Sequence, residues 1–441
     1  MKKLPVVSRT HVFKNRKQIL KNPIPFHHDN FNRLGDTFEV AVGLKKRIIF
    51  TRQAKFIKQI LQTKQKHYQK SSLQTVDLAK YIGRGLLTSN GEHWRNHRRM
   101  IQPAFHKRKL QGLLQIMYQA IKGELSKIKA GEIQDIYPLM GDLAFQVVAT
   151  SLFSRDDIQV QMSALKEITE ANQRMLIQEM RQPYLNWWYK FSGKINRHIK
   201  LSLEARAILS SIIKERLAQD SEKDDLMDML LKATYEDGSR MPEKQLIDEI
   251  LILFAAGHET TANALGFILF LLAKHPEKQG KAFAEINAID WTEGIEMESL
   301  RKLGYVKQCI EEGMRLYPPA YYIDRESIIK DEIEDYEIPE NSMLLLAIYE
   351  LHRDSRFWES PNAFKPERFD PANKRDYSDY YFPFGGGPRM CIGNNFAMQE
   401  MILTVAEILR SYTLRPVDDE VLINPLISLK PVSVKLHFIP R

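Results

Sequence analysis

Residues 382–393 read FPFGGGPRMCIG. Three consecutive glycines and a proline forbid both helix and strand there. They allow tight backbone paths with amide groups turned inward. Cys391 stands at the end of this loop, just ahead of Gly393 to Arg410, which reads as an amphipathic helix. A thiol at a helix N-terminus feels free N–H groups that favour the thiolate, and Arg389 adds positive charge. Such a thiolate is a candidate metal ligand. The bland reading, a buried structural cysteine, suits Cys309, which shares helical spacing with Val306 and Ile310.

Three other groupings have spacings with chemical meaning. Ala256-Gly257-His258-Glu259-Thr260-Thr261 interrupts a long apolar helical pattern. A mid-helix glycine costs ~1 kcal/mol against alanine, so it needs a reason. A threonine hydroxyl there can take the carbonyl four residues back and open the helix locally. An adjacent Glu259 can then relay protons. Glu312 and Arg315, at i and i+3, share a helix face and can pair. Trp94 and Arg98, at i and i+4, also share a face.

The cysteine loop resembles the heme-binding signature of the cytochrome P-450 family, Phe-x-x-Gly-x-Arg-x-Cys-x-Gly. Phe384, Gly387, Arg389, Cys391 and Gly393 fill its five fixed positions. The resemblance implies heme b (iron protoporphyrin IX) with Cys391 as axial thiolate ligand, which favours O–O cleavage and is tuned by backbone amides near the sulfur. The Ala256–Thr261 segment looks like the family's oxygen-activation motif. It implies close approach of cofactor and O₂ at Ala256 and Gly257, and proton relay through Thr260 and Glu259. Glu312 and Arg315, with Arg368 of Pro366-Glu367-Arg368-Phe369, are similar to the family's buried structural charge cluster. Trp94, Arg98, Arg325 and Arg389 correspond to residues that hold the heme propionates, a task for which arginine has the right fork geometry.

These motifs run from 94 to 393 in the family's order, so the whole of 1–441 is expected to be one domain. The implied fold class is mainly α with a minor β region: a triangular prism with heme between a long central helix and the cysteine-loop helix. The β-rich part is expected mainly from 36–51, 320–350 and 425–440. The form of the Gly-His-Glu-Thr-Thr segment looks more like the fatty-acid-hydroxylating branch than the camphor-hydroxylating branch.

The elements that must position these residues are legible in the pattern. Thr37 to Val42 and Arg47 to Thr51 read as paired strands turning at Gly43-Leu44. From Arg52 to Pro318 the apolar period is near 3.6, mostly helix. One helix should run from about Pro242 to Lys274, some 33 residues or ~50 Å, long enough to cross the molecule. Ser299 to Leu316 reads as a helix, Met343 to Ile348 as a strand, and Ser433 to Ile439 as a final strand.

The chain has 441 residues, 44% hydrophobic and 27% charged, with two cysteines and a net charge of +9. That composition is globular. Two cysteines exclude a disulfide framework and fit a reducing compartment. The N-terminal residues hold no long apolar run, so neither signal peptide nor membrane anchor is expected. Thr260 to Ala273, the longest uncharged apolar stretch, spans 14 residues, short of the ~20 a bilayer needs. A soluble, cytoplasmic protein is expected. The basic balance raises nucleic acid, but no recognition motif supports it. It is read instead as serving heme carboxylates and an acidic electron donor. The chain ends 50 residues past Cys391 with no cysteines for a cluster, so electrons are expected from a separate ferredoxin or flavodoxin with its NAD(P)H reductase. Arg95, Arg98, Arg99, Lys107, Arg108 and Lys109 would form its docking surface.

The implied activity is that of a monooxygenase, using O₂ and two electrons to hydroxylate or O-demethylate a small organic substrate. By family position the pocket draws on 81–92, 174–188, 253–256, 320–323 and 426–429. Tyr321 and Tyr322, with Ile427, could stack on and hydrogen-bond a polar ring such as a methylated sugar. They could equally be packing residues. Fatty-acid or terpenoid hydroxylation stays open, as does a non-catalytic heme-binding sensor. A peroxide-driven oxygenase is disfavoured by the Glu259–Thr260 pair.

Overall fold

Apolar residues on every face of one segment decide the centre of the molecule. In the computed structural model, which describes residues 3–42, 46–154, 158–218, 223, 225–291, 295–333, 336–373 and 376–441, this segment is the 32-residue helix Glu243–Lys274. Pro242 sits just outside as the N-cap, with φ −59° and ψ 145°. Most side chains from Leu246 to Ala273 are buried, as expected of a helix apolar all round. It ends where His275 leaves helical geometry and Pro276 opens the next helix, Pro276–Asn287, because proline disfavours helical backbone before it.

The long helix packs most extensively on Ile136–Phe153. Gly257 lies at this contact: a Cβ there would come within 2.9 Å of Val148 Cγ2. Among the described residues, Ile136–Phe153 is the one helix long and apolar enough to cross a membrane, and 61% of it is buried inside the protein. Lys107–Leu125 and Asn394–Ser411 complete this layer.

The helix expected over 299–316 is two helices, Met297–Arg301 and Gly304–Leu316. Leu303 breaks the run at φ −87°, ψ 51°. The Glu285 carboxylate then accepts the N–H groups of Tyr305 and Val306 at 2.8–2.9 Å, satisfying donors that a helix start leaves free. The second helix meets the long one at Gly313, where a Cβ would come within 2.5 Å of Ile268 Cγ1.

The main sheet has six strands in the spatial order Val6–Val7, Thr37–Val42, Lys46–Thr51, Met343–Leu346, Ile323–Ser327, Tyr68–Gln69. Thr37 pairs Thr51 in an antiparallel register, and Ile48 pairs Met343 in a parallel one. The Gly43-Leu44 turn lies outside the described residues. The strand expected over 343–348 stops at Leu346, and Ile348–Leu351 is a short helix. Lys435–Pro440 pairs Tyr412–Pro416 and Ile133–Asp135, and Ile423–Pro425 forms a hairpin with Leu429–Pro431. The β part thus also draws on 6–7, 68–69, 133–135 and 412–416, beyond the three expected segments. The fold is mainly α with a minor β part.

Candidate functional site

The cysteine loop is built by its glycines. Gly385 and Gly387 take φ +72° and +66°, a region L side chains avoid. A Cβ on Gly387 would also lie 2.0 Å from the Leu61 carbonyl oxygen, so this position tolerates glycine alone. The loop closes where the Cys391 N–H donates to Phe384 O at 2.9 Å. Gly393 is different. Its φ is −88°, and a Cβ there would meet no described protein atom within 4 Å.

Cys391 lies deep among protein atoms, yet its own surface stays accessible. Burial raises its thiol above the ordinary value, and the Gly393 amide and the Arg98 charge offset this only in part. Burial thus opposes the thiolate that the local dipoles favour. Cys309 is also buried, and its thiol is raised mainly by that burial.

Behind the loop, Glu312, Arg315 and Arg368 come together. Arg315 donates from Nε and Nη2 to the two Glu312 oxygens at 2.7 and 2.8 Å, and Arg368 Nε reaches Glu312 Oε1 at 3.2 Å. Neither Glu312 nor Arg315 is exposed. Arg315 Nη1 also donates to the carbonyls of His352 and Pro361, both at 2.7 Å. His352 then accepts the Phe382 N–H at Nε2, 2.9 Å away, so the cluster reaches the first residue of the loop.

In front of the loop, cations converge. Arg325, Arg389 and Lys70 share one region, because the charges of Arg389 and Arg325 add to burial in pushing the Lys70 amine down. Burial first, then Arg325 and Arg95, brings the Arg389 guanidinium down to about 10. Arg389 lies 4.5 Å over the buried Trp94 ring and donates to Asn90 Oδ1 at 3.1 Å, while its Nε has no partner. Arg98 turns instead to the loop itself, donating to Met390 O at 2.9 Å. The carboxylates nearby are already engaged: Asp324 by Ser71 and Gln74, Glu249 by the Leu86 N–H and by His97.

On the long helix, Thr260 Oγ1 donates to Ala256 O at 2.8 Å. Glu259 Oε1 accepts from Ser428 Oγ at 2.8 Å; Ser428 accepts from Asn263 Nδ2 at 3.0 Å, and Asn263 Oδ1 accepts from Tyr137 OH at 2.9 Å. His258 points away, its Nδ1 3.0 Å from Phe254 O, and burial lowers its pKa.

A protein-family model described as Cytochrome P-450 matches residues 4–438. The chain belongs to the cytochrome P-450 family. It is similar to cytochrome P-450 4A14 of Rattus norvegicus, at 31% identity over 77% of this chain and 71% of that one. It also resembles cytochrome P-450 CYP72A613 of Trigonella foenum-graecum, at 27% identity over 90% of this chain and 79% of that one. The solved structure of a cytochrome P-450DA mutant heme domain shares the fold, with TM-score 0.88 and 21% identity, covering 100% of this chain and 98% of that one. The protein is thus a P-450 monooxygenase, an oxidoreductase whose cofactor is heme.

The residues present fit that cofactor. Two buried cations, Lys70 and Arg325, beside a half-buried Arg389 whose Nε has no partner, with the nearby carboxylates engaged, suit a group bearing carboxylates of its own. An accessible, deeply set cysteine suits a thiolate-bound metal, since coordination deprotonates a thiol outright. Gly393, with no reason in backbone or protein packing, suits close approach of a flat ring.

Sequence reasoning missed several partners. Lys70, Asn90, His352 and Ser428 join the site only through the fold. His97, left without a role, lies with Nδ1 2.9 Å from Glu249 Oε1, off the line of a good hydrogen bond, and with Nε2 3.1 Å from Tyr235 OH. It ties its helix to the long helix. Gly257, expected to make room for the cofactor, has a protein reason in Val148. The hydroxyls of Tyr321 and Tyr322 are taken by Leu426 O at 2.8 Å and His27 Nδ1 at 2.9 Å. Ile427 is exposed. Of the expected docking residues, Arg95, Arg108 and Lys109 are exposed, Arg99 pairs with Glu236, and the Lys107 side chain lies outside what is described.

Proposed function

We propose that this P-450 hydroxylates an apolar substrate, of fatty-acid or terpenoid type, with electrons from a separate ferredoxin or flavodoxin and its NAD(P)H reductase. One observation carries the substrate reading. Three of the expected pocket segments meet mainly through apolar side chains: Leu87, Met175, Leu176, Leu185 and Ala255 form one cluster with Ile252, Tyr81 and Tyr189. The Tyr321 and Tyr322 hydroxyls, which a methylated sugar would need, are already bonded to protein.

Heme held by Cys391 supplies O₂ activation and oxygen insertion into a C–H bond. The chain's own residues do the rest. Lys70, Arg325 and Arg389 bind and orient the cofactor's carboxylates, and Trp94 fixes the Arg389 plane. Thr260 Oγ1, its proton donated to Ala256 O, turns its acceptor lone pairs to the helix face that carries the small Ala256 side chain. Glu259 delivers protons to Thr260 from its carboxyl, which Ser428 keeps oriented. The cluster Glu312–Arg315–Arg368, acting through His352, holds the cysteine loop in register. The family match over 4–438 supports reading the chain as one such unit. Two free cysteines support a reducing, cytoplasmic setting.

The test is a screen for substrate-induced spin-state shifts with fatty acids, terpenoids and methylated sugars. Shifts with fatty acids or terpenoids alone support the reading. A shift confined to methylated sugars contradicts it.

A further inference from the structure

Two consecutive acids on the long helix, Asp248 and Glu249, are buried, Glu249 fully. Asp248 pairs with Arg206 of the helix Lys194–Ala218 at 3.1 Å. Glu249 meets His97 Nδ1 at 2.9 Å, and no Lys or Arg among the described residues forms an ion pair with it. A buried carboxylate without such a cation is costly. What both carboxylates hold is a loop. Asp248 Oδ2 accepts the Arg84 N–H and Glu249 Oε2 accepts the Leu86 N–H, each at 3.0 Å. The glycine before each of these donors leaves room for the bond. A Cβ on Gly83 would lie 2.1 Å from Asp248 Cγ, and one on Gly85 would lie 2.5 Å from Glu249 Oε2. Gly83 also takes φ +87°, a region that L side chains avoid.

The loop 83–88 joins the cofactor side of the molecule to the pocket side. Thr88 closes it, donating from Oγ1 to Gly83 O at 2.7 Å and accepting the Gly85 N–H at 3.0 Å. Its two leucines pack into different clusters. Leu86 joins the main core with Trp94, and its carbonyl accepts from Lys70 Nζ. Leu87 packs with Met175, Leu176, Ile252 and Ala255, and Ala255 adjoins Ala256 of the oxygen-activation segment. The amide bonds to Asp248 and Glu249 fix which leucine goes to which side. Acceptors carried on a packed helix hold a side chain more precisely than a loop can by itself.

We propose that Asp248 and Glu249 are positioning residues for the monooxygenase reaction: they set the placement of Leu87 on the pocket wall, and so which part of a bound substrate lies toward Ala256. They act through the loop backbone and do not touch substrate. The inference rests on the reading that 81–92 and 174–188 line the pocket, and it holds for any substrate class that the pocket takes.

Azole ligands of heme iron test it without a substrate. Imidazole reports access to the iron, and 4-phenylimidazole reports the pocket wall as well. The ratio of their dissociation constants is read from Soret shifts of the heme-loaded full chain. It is expected to change at least about threefold in Asp248→Leu, in Glu249→Leu and in Gly85→Ala, which displaces the loop and leaves both acids in place. Glu249→Gln, which keeps an acceptor, should stay nearer the native ratio. Leu87→Ala should move the ratio too, and adding Gly85→Ala to it should bring little further change, because the clamp acts through Leu87. Should the acid variants fail to load heme, Gly85→Ala and its combination with Leu87→Ala decide alone. A native ratio in Gly85→Ala would overturn the inference, and so would full additivity of Gly85→Ala with Leu87→Ala. A ratio unmoved by Leu87→Ala would also overturn it, by removing Leu87 from the pocket wall. Spin-state shifts with fatty acids or terpenoids would still support the apolar substrate in that case.

Discussion

Phe382 donates its backbone N–H to His352 Nε2 at 2.9 Å. Burial holds the His352 ring neutral, its pKa well below the ordinary value, so the accepting nitrogen is free and the ring proton sits on Nδ1. The His352 carbonyl in turn accepts from Arg315. A buried ion cluster and a cysteine loop far apart in sequence are therefore one hydrogen-bonded unit.

Breaking that unit from the cluster side should be severe. Glu312→Gln leaves two buried guanidinium groups without their carboxylate, a loss expected to cost about 3–5 kcal/mol. Urea unfolding of the heme-loaded protein measures it. His352→Ala should cost less in stability and should speed heme release. A loss under about 1 kcal/mol for Glu312→Gln would show that the cluster does not bear on stability.

The relay predicts a split between electron use and product. Thr260→Ala should lower product formed per NAD(P)H by about tenfold or more, with the balance appearing as peroxide. Ser428→Ala should move the same ratio in the same direction by less, because Glu259 loses its orienting donor but keeps its carboxyl. Unchanged product-to-peroxide ratios in both would remove these residues from proton delivery.

Acid stability should depend on His27. Burial lowers its pKa from 6.5 to about 3, and its Nδ1 lies 2.9 Å from Tyr322 OH. The unfolded chain therefore binds a proton at a pH where the folded one does not. Stability falls as pH drops from 6.5 toward about 3, following linkage. His27→Gln should flatten the pH dependence of the denaturation midpoint in that window. An unaltered slope would contradict it.

Charge reversal at Lys107 and Lys109 should slow reduction by an acidic ferredoxin or flavodoxin at low salt. The difference from the native protein should shrink at high salt, as screening shortens the reach of the charges. Equal rates at low salt would place the docking surface elsewhere.

Much of this was legible in the sequence because the signals are local. The glycine run that shapes the cysteine loop, the i, i+3 pairing of Glu312 with Arg315, and the Thr260-to-Ala256 bond all follow from short-range geometry. What was not legible depends on remote atoms. Glu285 caps the helix at Tyr305 from another helix, so the break at Leu303 leaves no mark in the local pattern. Val148 explains Gly257 only once two helices are packed. His352 sits in a charged stretch between Glu350 and Arg353, and Ser428 near a hairpin tip; neither residue type nor spacing marks them. The local dipoles at Cys391 can be read from sequence; its depth of burial cannot.

The ferrous–CO spectrum of the purified heme-loaded protein tests Cys391 as the heme ligand most directly. It should show the strongly red-shifted Soret band of thiolate ligation, lost in Cys391→Ser and kept in Cys309→Ser. A native spectrum without that band in folded, heme-loaded protein, or a band that survives Cys391→Ser, would contradict the assignment.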